Sequence, residues 1–339
     1  MKTALYFTAE KDGRVRCGLC RHGCVIPEGK TGLCRLRRNV NGALETMSYG
    51  MASSIWTDPI EKKPLFHFMP GTHALSFGSV GCNFRCIFCQ NYDISQEWSL
   101  RLARQIAPEE VVALAQREGC ESVSWTYNEP TIWYEFTLDA SKLLHRAGIP
   151  TNYVTNGYIA EAPLREIAPY LDAMNIDVKA FTEDFYRKLV GATLSGVMET
   201  CSLAMELGIF IELTYLIIPT KNDDPSEIRR FARWVAESLS PEIPVHFSRF
   251  HPDYKLRDLP PTPMDTLLQA KSIARSEGLR YVYLGNIHHT DDENTRCPVC
   301  GALLIERWGF SVRQHRLKDR RCPECAAEIN IVAKPRWLD

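Results

Sequence analysis

The stretch His73-Ala74-Leu75-Ser76-Phe77-Gly78-Ser79-Val80-Gly81-Cys82-Asn83-Phe84-Arg85-Cys86-Ile87-Phe88-Cys89 decides how the rest of the chain reads. Its first five residues form a short β-forming run. It ends in three thiols spaced C-x-x-x-C-x-x-C, with an aromatic residue before the last. Thiolates are the usual ligands of iron–sulfur clusters, and three can hold three irons of a 4Fe–4S cubane. No fourth cysteine lies within thirty residues on either side. A fourth iron would therefore stay open for chemistry. Two plainer readings share this spacing: half of a zinc site, and a ferredoxin-type electron carrier. Zinc motifs usually run in paired C-x-x-C knuckles, and such pairs occur elsewhere in this chain.

Outward from this loop the sequence alternates. β-Forming runs at 73–77, 122–126, 150–154, 173–178, 210–218, 245–250 and 281–284 are separated by helix-period segments. In one segment Ile132, Phe136, Ala140, Leu143 and Ala147 share a face; in another Ile228, Phe231, Ala232, Val235 and Leu239 do. Asp224-Pro225-Ser226-Glu227 announces the second helix with an N-cap, a proline at the first helical position and an acid three residues after the cap. Alternation of this kind predicts parallel strands with right-handed crossovers. Six or seven repeats fit a partial (β/α)6 TIM-like barrel; a doubly wound open sheet is the alternative. Residues 55–72, with Asp58-Pro59, Pro64 and Pro70-Gly71, read as an extended connector carrying the apolar patch Leu65-Phe66-His67-Phe68. His67 reads as a hydrogen-bonded packing histidine.

In parallel folds of this type functional groups gather at the C-terminal ends of strands. Those ends carry Thr126-Tyr127-Asn128-Glu129-Pro130, Thr155-Asn156-Gly157, Asp177-Val178-Lys179 and Arg249-Phe250-His251. Polar groups buried there without partners would cost roughly 1–3 kcal/mol each, so they call for a polar ligand.

Two further cysteine sets flank this core. Cys17, Cys20, Cys24 and Cys34 fall within eighteen residues, in a segment too small for its own core. Such a segment needs a metal to fold, zinc or a second iron–sulfur cluster; free buried cysteines are the bland reading. Cys297-Pro298-Val299-Cys300 and Cys322-Pro323-Glu324-Cys325 are two knuckles separated by 21 residues, a zinc-ribbon spacing. Cys120 and Cys201 read as buried packing residues. The chain thus divides into a metal-binding module over 1–50, a connector over 51–72, a barrel over 73–290 and a ribbon over 291–339.

Thirteen cysteines in 339 residues, with no secretory signal at the start, favour metals over disulfides and a reducing cytoplasm. No run approaches eighteen apolar residues, so no membrane span is expected. Residues 14–38 hold seven Lys/Arg against one acid, and residues 296–321 seven against two, in a chain of net charge −1. The ends are basic and the middle acidic, which points either to an acidic macromolecule as partner or to plain solvated surfaces that keep the ends soluble. RNA is less favoured, because these clusters lack interleaved aromatics on which bases stack.

The loop motif resembles that of the radical S-adenosylmethionine (SAM) superfamily. The resemblance implies that the amino and carboxylate groups of SAM chelate the open iron. An electron then breaks a carbon–sulfur bond, giving methionine and a 5′-deoxyadenosyl radical. Asn128-Glu129-Pro130 stands where that superfamily has Gly-Gly-Glu; Tyr127 and Asn128 replace the glycines and Glu129 carries over. Thr155-Asn156-Gly157 and Asp177-x-Lys179 resemble elements of pyruvate formate-lyase activating enzymes, and His251 their ribose-contacting histidine. A cofactor set of Phe88, Glu129, Asn156, Asp177, Lys179 and His251 is implied. The order of motifs across the whole chain resembles the AmmeMemoRadiSam-system radical SAM enzymes. It implies a flavodoxin- or ferredoxin-type electron donor and Memo- and AMMECR-family partners. A glycyl-radical activase, an RNA-modifying enzyme and a metal-dependent scaffold with a degenerate site are the competing functions. Formation of 5′-deoxyadenosine would exclude the scaffold.

Overall fold

The structure is a computed structural model that describes residues 2–287 and 291–338. Its centre is β1 (His73–Gly78), α1 (Pro108–Arg117), β2 (Ser122–Trp125), α2 (Tyr134–Arg146), β3 (Thr151–Thr155), α3 (Glu161–Ile167), β4 (Ala173–Asp177), α4 (Leu194–Glu206), β5 (Phe210–Ile217), α5 (Pro225–Trp234), β6 (Val245–Arg249), α6 (Met264–Ser276) and β7 (Val282–Gly285). Each β-strand pairs in parallel with the next, so order in space follows order in the chain. A doubly wound sheet needs a reversal of strand order, and there is none. The result is six β/α units with a seventh strand, a partial barrel. β2 is buried along its whole length although two of its four residues are serines, and the Ser124 hydroxyl donates to Asn152 Oδ1 on β3 at 2.7 Å.

Sequence signals set the helix starts. Asp224 accepts from the amides of Ser226 and Glu227 at 2.9 and 3.1 Å, with Pro225 opening α5. The face expected for α2 is rotated: Leu144 is buried where Leu143 is half-buried and Ala147 exposed. Phe136 and Ala140 are buried as expected and the stripe continues to Leu144, four residues on, while Ile132 belongs to a separate tight turn, Pro130–Trp133, ahead of the helix.

The connector is more ordered than its prolines imply. Ser54–Pro59 pairs antiparallel with β1 and becomes the eighth strand of the sheet, while Met51–Ala52 pairs with Arg104–Gln105. Its apolar patch closes the barrel at the N-terminal ends of β4–β7. There Glu212 accepts from the amides of Phe66 and His67 at 3.0 and 2.7 Å and from His246 Nε2 at 2.7 Å. His67 is fully buried, with Nδ1 2.6 Å from the Asn330 carbonyl and Nε2 2.6 Å from the Tyr283 hydroxyl. It is the packing histidine its surroundings predict.

The terminal segments form small sheets. Before the barrel, Lys2–Thr3, Arg37–Val40 and Ala43–Thr46 make one, and Phe7–Ala9, Val15–Cys17 and Val25–Ile26 another. This region docks on α2 through a buried ion pair, Arg37 Nη1 to Glu135 at 2.8 Å. It also reaches the C-terminal end of β3, where Cys20 bridges Ile159 and Ala160 donates to the Leu19 carbonyl. After the barrel, Thr295–Arg296, Leu303–Trp308 and Ser311–His315 form an antiparallel sheet. The boundary expected between 290 and 291 falls at residues outside those described. All thirteen cysteines are free thiols.

Candidate functional site

The three-thiol loop leaves β1 at the C-terminal end of the barrel and is pinned from several sides. Gly81 donates to the Ile94 carbonyl, Arg85 to Val190, Ile87 to Leu189, and Lys255 donates to Ile87 in turn. Gln96 ties down the Phe84 carbonyl at 3.0 Å. Preorganisation of this kind holds ligand atoms where a bound group needs them. Cys86 is buried, and Cys82 and Cys89 half-buried. Burial pushes the Cys86 thiol up to about 12, with nearby Lys179 opposing. Burial, reinforced by Glu129, drives Cys82 well above its ordinary range. Thiols this reluctant to ionise in isolation give up their protons to a metal. Two donors already face the Cys82 sulfur: the Phe84 amide at 3.3 Å and Asn156 Nδ2 at 3.6 Å. The three thiols are not drawn within 4.8 Å of one another, among the described residues. Spread thiols with donors to sulfur fit the corners of a cubane.

The strand ends expected to carry function converge around this loop. Glu129 is buried, and its carboxylate accepts from the Thr131 amide at 2.9 Å, the Thr155 hydroxyl at 2.7 Å and the Asn156 amide at 2.8 Å. Desolvation raises it, and those donors oppose. Glu129 thus braces the end of β3 and, through it, Asn156, whose Nδ2 also donates to Asn83 Oδ1 at 2.8 Å. Gly157 follows at φ +69°, and a Cβ there would lie 2.7 Å from Ile176, so glycine alone fits the bend. Lys179 Nζ meets Asp177 at 2.7 Å beside Cys86 and Cys89. Burial works against the Lys179 charge, but Asp177 and the two thiols raise it overall. His251 stands at the exposed rim, its Nδ1 3.1 Å from Gln90, the residue after Cys89. Phe88 differs from the rest: it is buried against Phe185 at 5.7 Å, a packing contact behind the loop.

Two features went unread in the sequence: the contact that joins Asp58 and Lys63 to Tyr127, and the position of Asn83. Asp58 accepts from Lys62 at 2.8 Å, Lys63 at 2.6 Å and the Tyr127 phenol at 2.5 Å. Lys63 Nζ also lies 4.4 Å from the centre of the Tyr127 ring. Burial lowers Lys63 to about 8 despite Asp58. Tyr127 carries this cluster up to the loop, since its carbonyl accepts from Asn91 at 2.6 Å. The signal available was the density of charge in Asp58-Pro59-Ile60-Glu61-Lys62-Lys63. Asn83 is the other omission. Its carbonyl lies 2.8 Å from His22 Nε2, which ties the loop to the cysteine set of residues 17–34.

The C-terminal set is compact: the sulfurs of Cys297, Cys300, Cys322 and Cys325 all lie within 4.8 Å of one another. Desolvation raises Cys322, but the amides of Cys325 and Glu324 outweigh it and pull the thiol down to about 7. Cys120 and Cys201 are buried packing residues. Among the described residues no helix is long and apolar enough to cross a membrane. The basic surplus is largely paired: Arg37 with Glu135, Arg307 with Glu61, Arg316 with Glu324, Arg320 with Glu328, and Arg21 with Glu199.

Residues 77–234 match the family model described as the Radical SAM superfamily. The chain is also 47% identical over 335 residues to the uncharacterized protein MJ0808 of Methanocaldococcus jannaschii, covering 98% of this chain and 100% of that one. The chain belongs to the radical SAM superfamily. It is 26% identical over 206 residues to the pyruvate formate-lyase-activating enzyme of Clostridium pasteurianum, covering 56% of this chain and 84% of that enzyme. In fold it is similar to Streptococcus suis SuiB solved with S-adenosylmethionine (TM-score 0.51, 14% identity, 68% of this chain and 53% of that chain). Radical SAM membership makes the protein an iron–sulfur enzyme and implies a 4Fe–4S cluster and SAM.

Proposed function

We propose that Cys82, Cys86 and Cys89 hold the 4Fe–4S cluster of this radical SAM enzyme, leaving one iron for SAM. The observation that carries this reading is the pinned three-thiol loop at the C-terminal end of the barrel, ringed by Asn156, Asp177 and Lys179. A reduced cluster, when bound, supplies the electron that splits SAM into methionine and a 5′-deoxyadenosyl radical. Asn156 donates to the ligand sulfur, and the Asp177–Lys179 pair meets the charged end of SAM. His251 at the rim receives the ribose. Glu129 positions Asn156, and Phe88 fixes the loop against Phe185, so both serve SAM through other residues. The division into a module over 1–50, a connector over 51–72, a barrel over 73–290 and a ribbon over 291–339 belongs to the same proposal, with zinc on Cys297, Cys300, Cys322 and Cys325. The small spacing of these four sulfurs supports zinc: tetrahedral Zn–S bonds of about 2.3 Å set the sulfurs about 3.8 Å apart. The abstracted hydrogen comes from a macromolecular substrate, and Memo- and AMMECR-family proteins act with the enzyme.

The test is anaerobic incubation with SAM and a low-potential reductant. Methionine and 5′-deoxyadenosine should appear together, and the variant with Cys82, Cys86 and Cys89 all changed to Ala should form neither. Product formation by that triple variant would overturn the assignment. A second reading, activation of a glycyl-radical enzyme, is favoured by the similarity to the activating enzyme over 56% of the chain. It requires a glycyl radical in the partner, detectable by its EPR doublet.

A further inference from the structure

The two outer cysteine sets share a count of four thiols, but their geometry differs. At the C-terminal set all four sulfurs lie within 4.8 Å, as one tetrahedral ion requires. No three of Cys17, Cys20, Cys24 and Cys34 approach one another that closely, among the described residues. Yet all four line a single pocket, together with Arg37, Asn83 and Ile132. The same wide arrangement of thiols marks the three-thiol loop.

Two residues that line this pocket each carry a buried donor without a partner. Asn83, 1% exposed, spends its Oδ1 on Asn156 and its carbonyl on His22, which leaves Nδ2 unpaired. Arg37, also 1% exposed, pairs Nη1 with Glu135 and Nη2 with the Leu5 carbonyl, which leaves Nε unpaired. An orphaned buried donor costs about 1–3 kcal/mol, so acceptors are expected here. A lone zinc ion adds none beyond its four thiolates. An iron–sulfur cluster adds inorganic sulfides, and N–H groups aimed at sulfur are among the features that tune such clusters.

Asn83 also locates this pocket relative to the catalytic loop. It directly follows Cys82, and Cys82 Sγ lies 3.8 Å from Asn83 Oδ1. On its other side Asn83 walls the four-thiol pocket, with His22 holding its carbonyl. Asn83 therefore borders both thiol sets.

We infer that Cys17, Cys20, Cys24 and Cys34 hold a second, fully thiolate-ligated iron–sulfur cluster that relays electrons through the Asn83–His22 wall to the loop cluster. The relay rests on the loop assignment proposed above. A reduced carrier of the flavodoxin or ferredoxin class gives one electron to the outer cluster, taking it from the 2+ to the 1+ state. That electron then passes to the loop cluster, which becomes 1+ as the outer one returns to 2+. No bond is made or broken and no proton moves. With four protein thiolates the outer cluster has no open iron, so it does not bind SAM.

The experiment compares the full-length protein and the Cys82→Ala/Cys86→Ala/Cys89→Ala variant, both isolated anaerobically, for iron, acid-labile sulfide and zinc. For two cubanes the parent should hold about eight irons and eight sulfides, and the variant about four of each. In dithionite-reduced parent the two clusters should broaden each other's EPR signals, and the variant should show one narrow signal unaffected by SAM. About four irons and a second zinc in the parent, with all of the iron but neither zinc lost in the variant, would overturn the second cluster while leaving the loop assignment intact. Four irons retained by the variant at the parent's level would sink the loop assignment and keep the outer cluster. Eight irons with additive, unbroadened signals would overturn the relay.

Discussion

At the N-terminal ends of β4–β7, Glu212, His246, His67, Arg307 and Glu61 are all buried, and each is engaged by another group of the chain. At the C-terminal ends, Asp177 and Lys179 form a comparable ion pair, but their side chains stay 28% and 17% exposed beside two thiols. The residue types match; the difference is whether the protein alone completes their partners. The lower end is a nearly closed network that seals the barrel under Phe66 and His67, with Glu61 Oε2 the one buried side-chain atom left unpaired among these five residues. The upper end has charges and donors set around a space that a ligand would complete. A polar group buried in a parallel barrel is therefore no sign of function until its partners are counted.

Breaking the closed network should produce the largest effect. Arg307 and Glu61 are both inaccessible, 3.5 Å apart, and Arg307 Nη2 also donates to the Phe66 carbonyl at 2.7 Å. Arg307→Met would strand the Glu61 carboxylate and should cost about 3–5 kcal/mol. Chemical denaturation of the anaerobic holoprotein measures it. A loss below 1 kcal/mol would mean that the lower end relaxes like a surface.

The closed end also predicts a pH dependence of somewhat smaller size. The Asn330 carbonyl requires a proton on His67 Nδ1, so Nε2 must accept from Tyr283; the neutral ring satisfies both contacts. Burial, opposed by Glu212 and the Asn330 carbonyl and aided by Arg307 and His246, lowers His67 to about 4. The unfolded chain takes up this proton near 6.5. Between those values the unfolded state binds more protons, so stability falls as pH drops from 6.5 to 4. At about 1.4 kcal/mol per pH unit the fall reaches about 3 kcal/mol. His67→Gln removes this titration, and its stability profile should be flatter than the parent's over the same range. Parallel profiles would refute the assignment.

How these two ends read from sequence differs in the same way. The seven parallel strands were legible to within a residue or two, because runs such as Phe210–Ile217 combine β-branched and aromatic residues between clear turns. Thiols 82, 86 and 89 and the strand-end residues Asn156, Asp177 and Lys179 were legible for a related reason, since motif and strand end coincide. The closed network was not. Arg307 meets Glu61 across 246 residues and Arg37 meets Glu135 across 98, and no local pattern encodes such pairings. Charge totals over 14–38 and 296–321 therefore overstated the basic surface. Asn83 was overlooked because its importance lies in what stands on either side of it in space.

The upper end should answer mutation in binding more than in stability. Asp177→Ala removes one half of a partly exposed pair, and exposed pairs contribute about 1 kcal/mol or less to stability. Hydrogen bonds to charged groups are worth about 1.5–3 kcal/mol, so SAM affinity should fall by roughly tenfold or more. Equilibrium binding to the anaerobic protein, run beside denaturation, separates the two. A stability loss matching that of Arg307→Met would erase the contrast between the ends.

The smallest effect is expected on the ribbon. Arg316 and Arg320 account for two of the seven basic residues between 296 and 321, yet each has a carboxylate at 2.8 Å, Glu324 and Glu328. Both pairs are well exposed, so water and salt screen them and their strength is about 1 kcal/mol or less each. Arg316→Gln with Arg320→Gln should therefore leave folding within about 1 kcal/mol of the parent. Metal content should not change either, because the Arg316 guanidinium is spent on the Leu303 carbonyl and Glu324 and that of Arg320 on Glu328. The double change still removes two positive charges and leaves Glu324 and Glu328 unbalanced, turning this face towards negative. Capture of an acidic partner should then weaken and lose much of its salt dependence. Unchanged capture and an unchanged salt slope would show that these arginines serve their own glutamates and no partner.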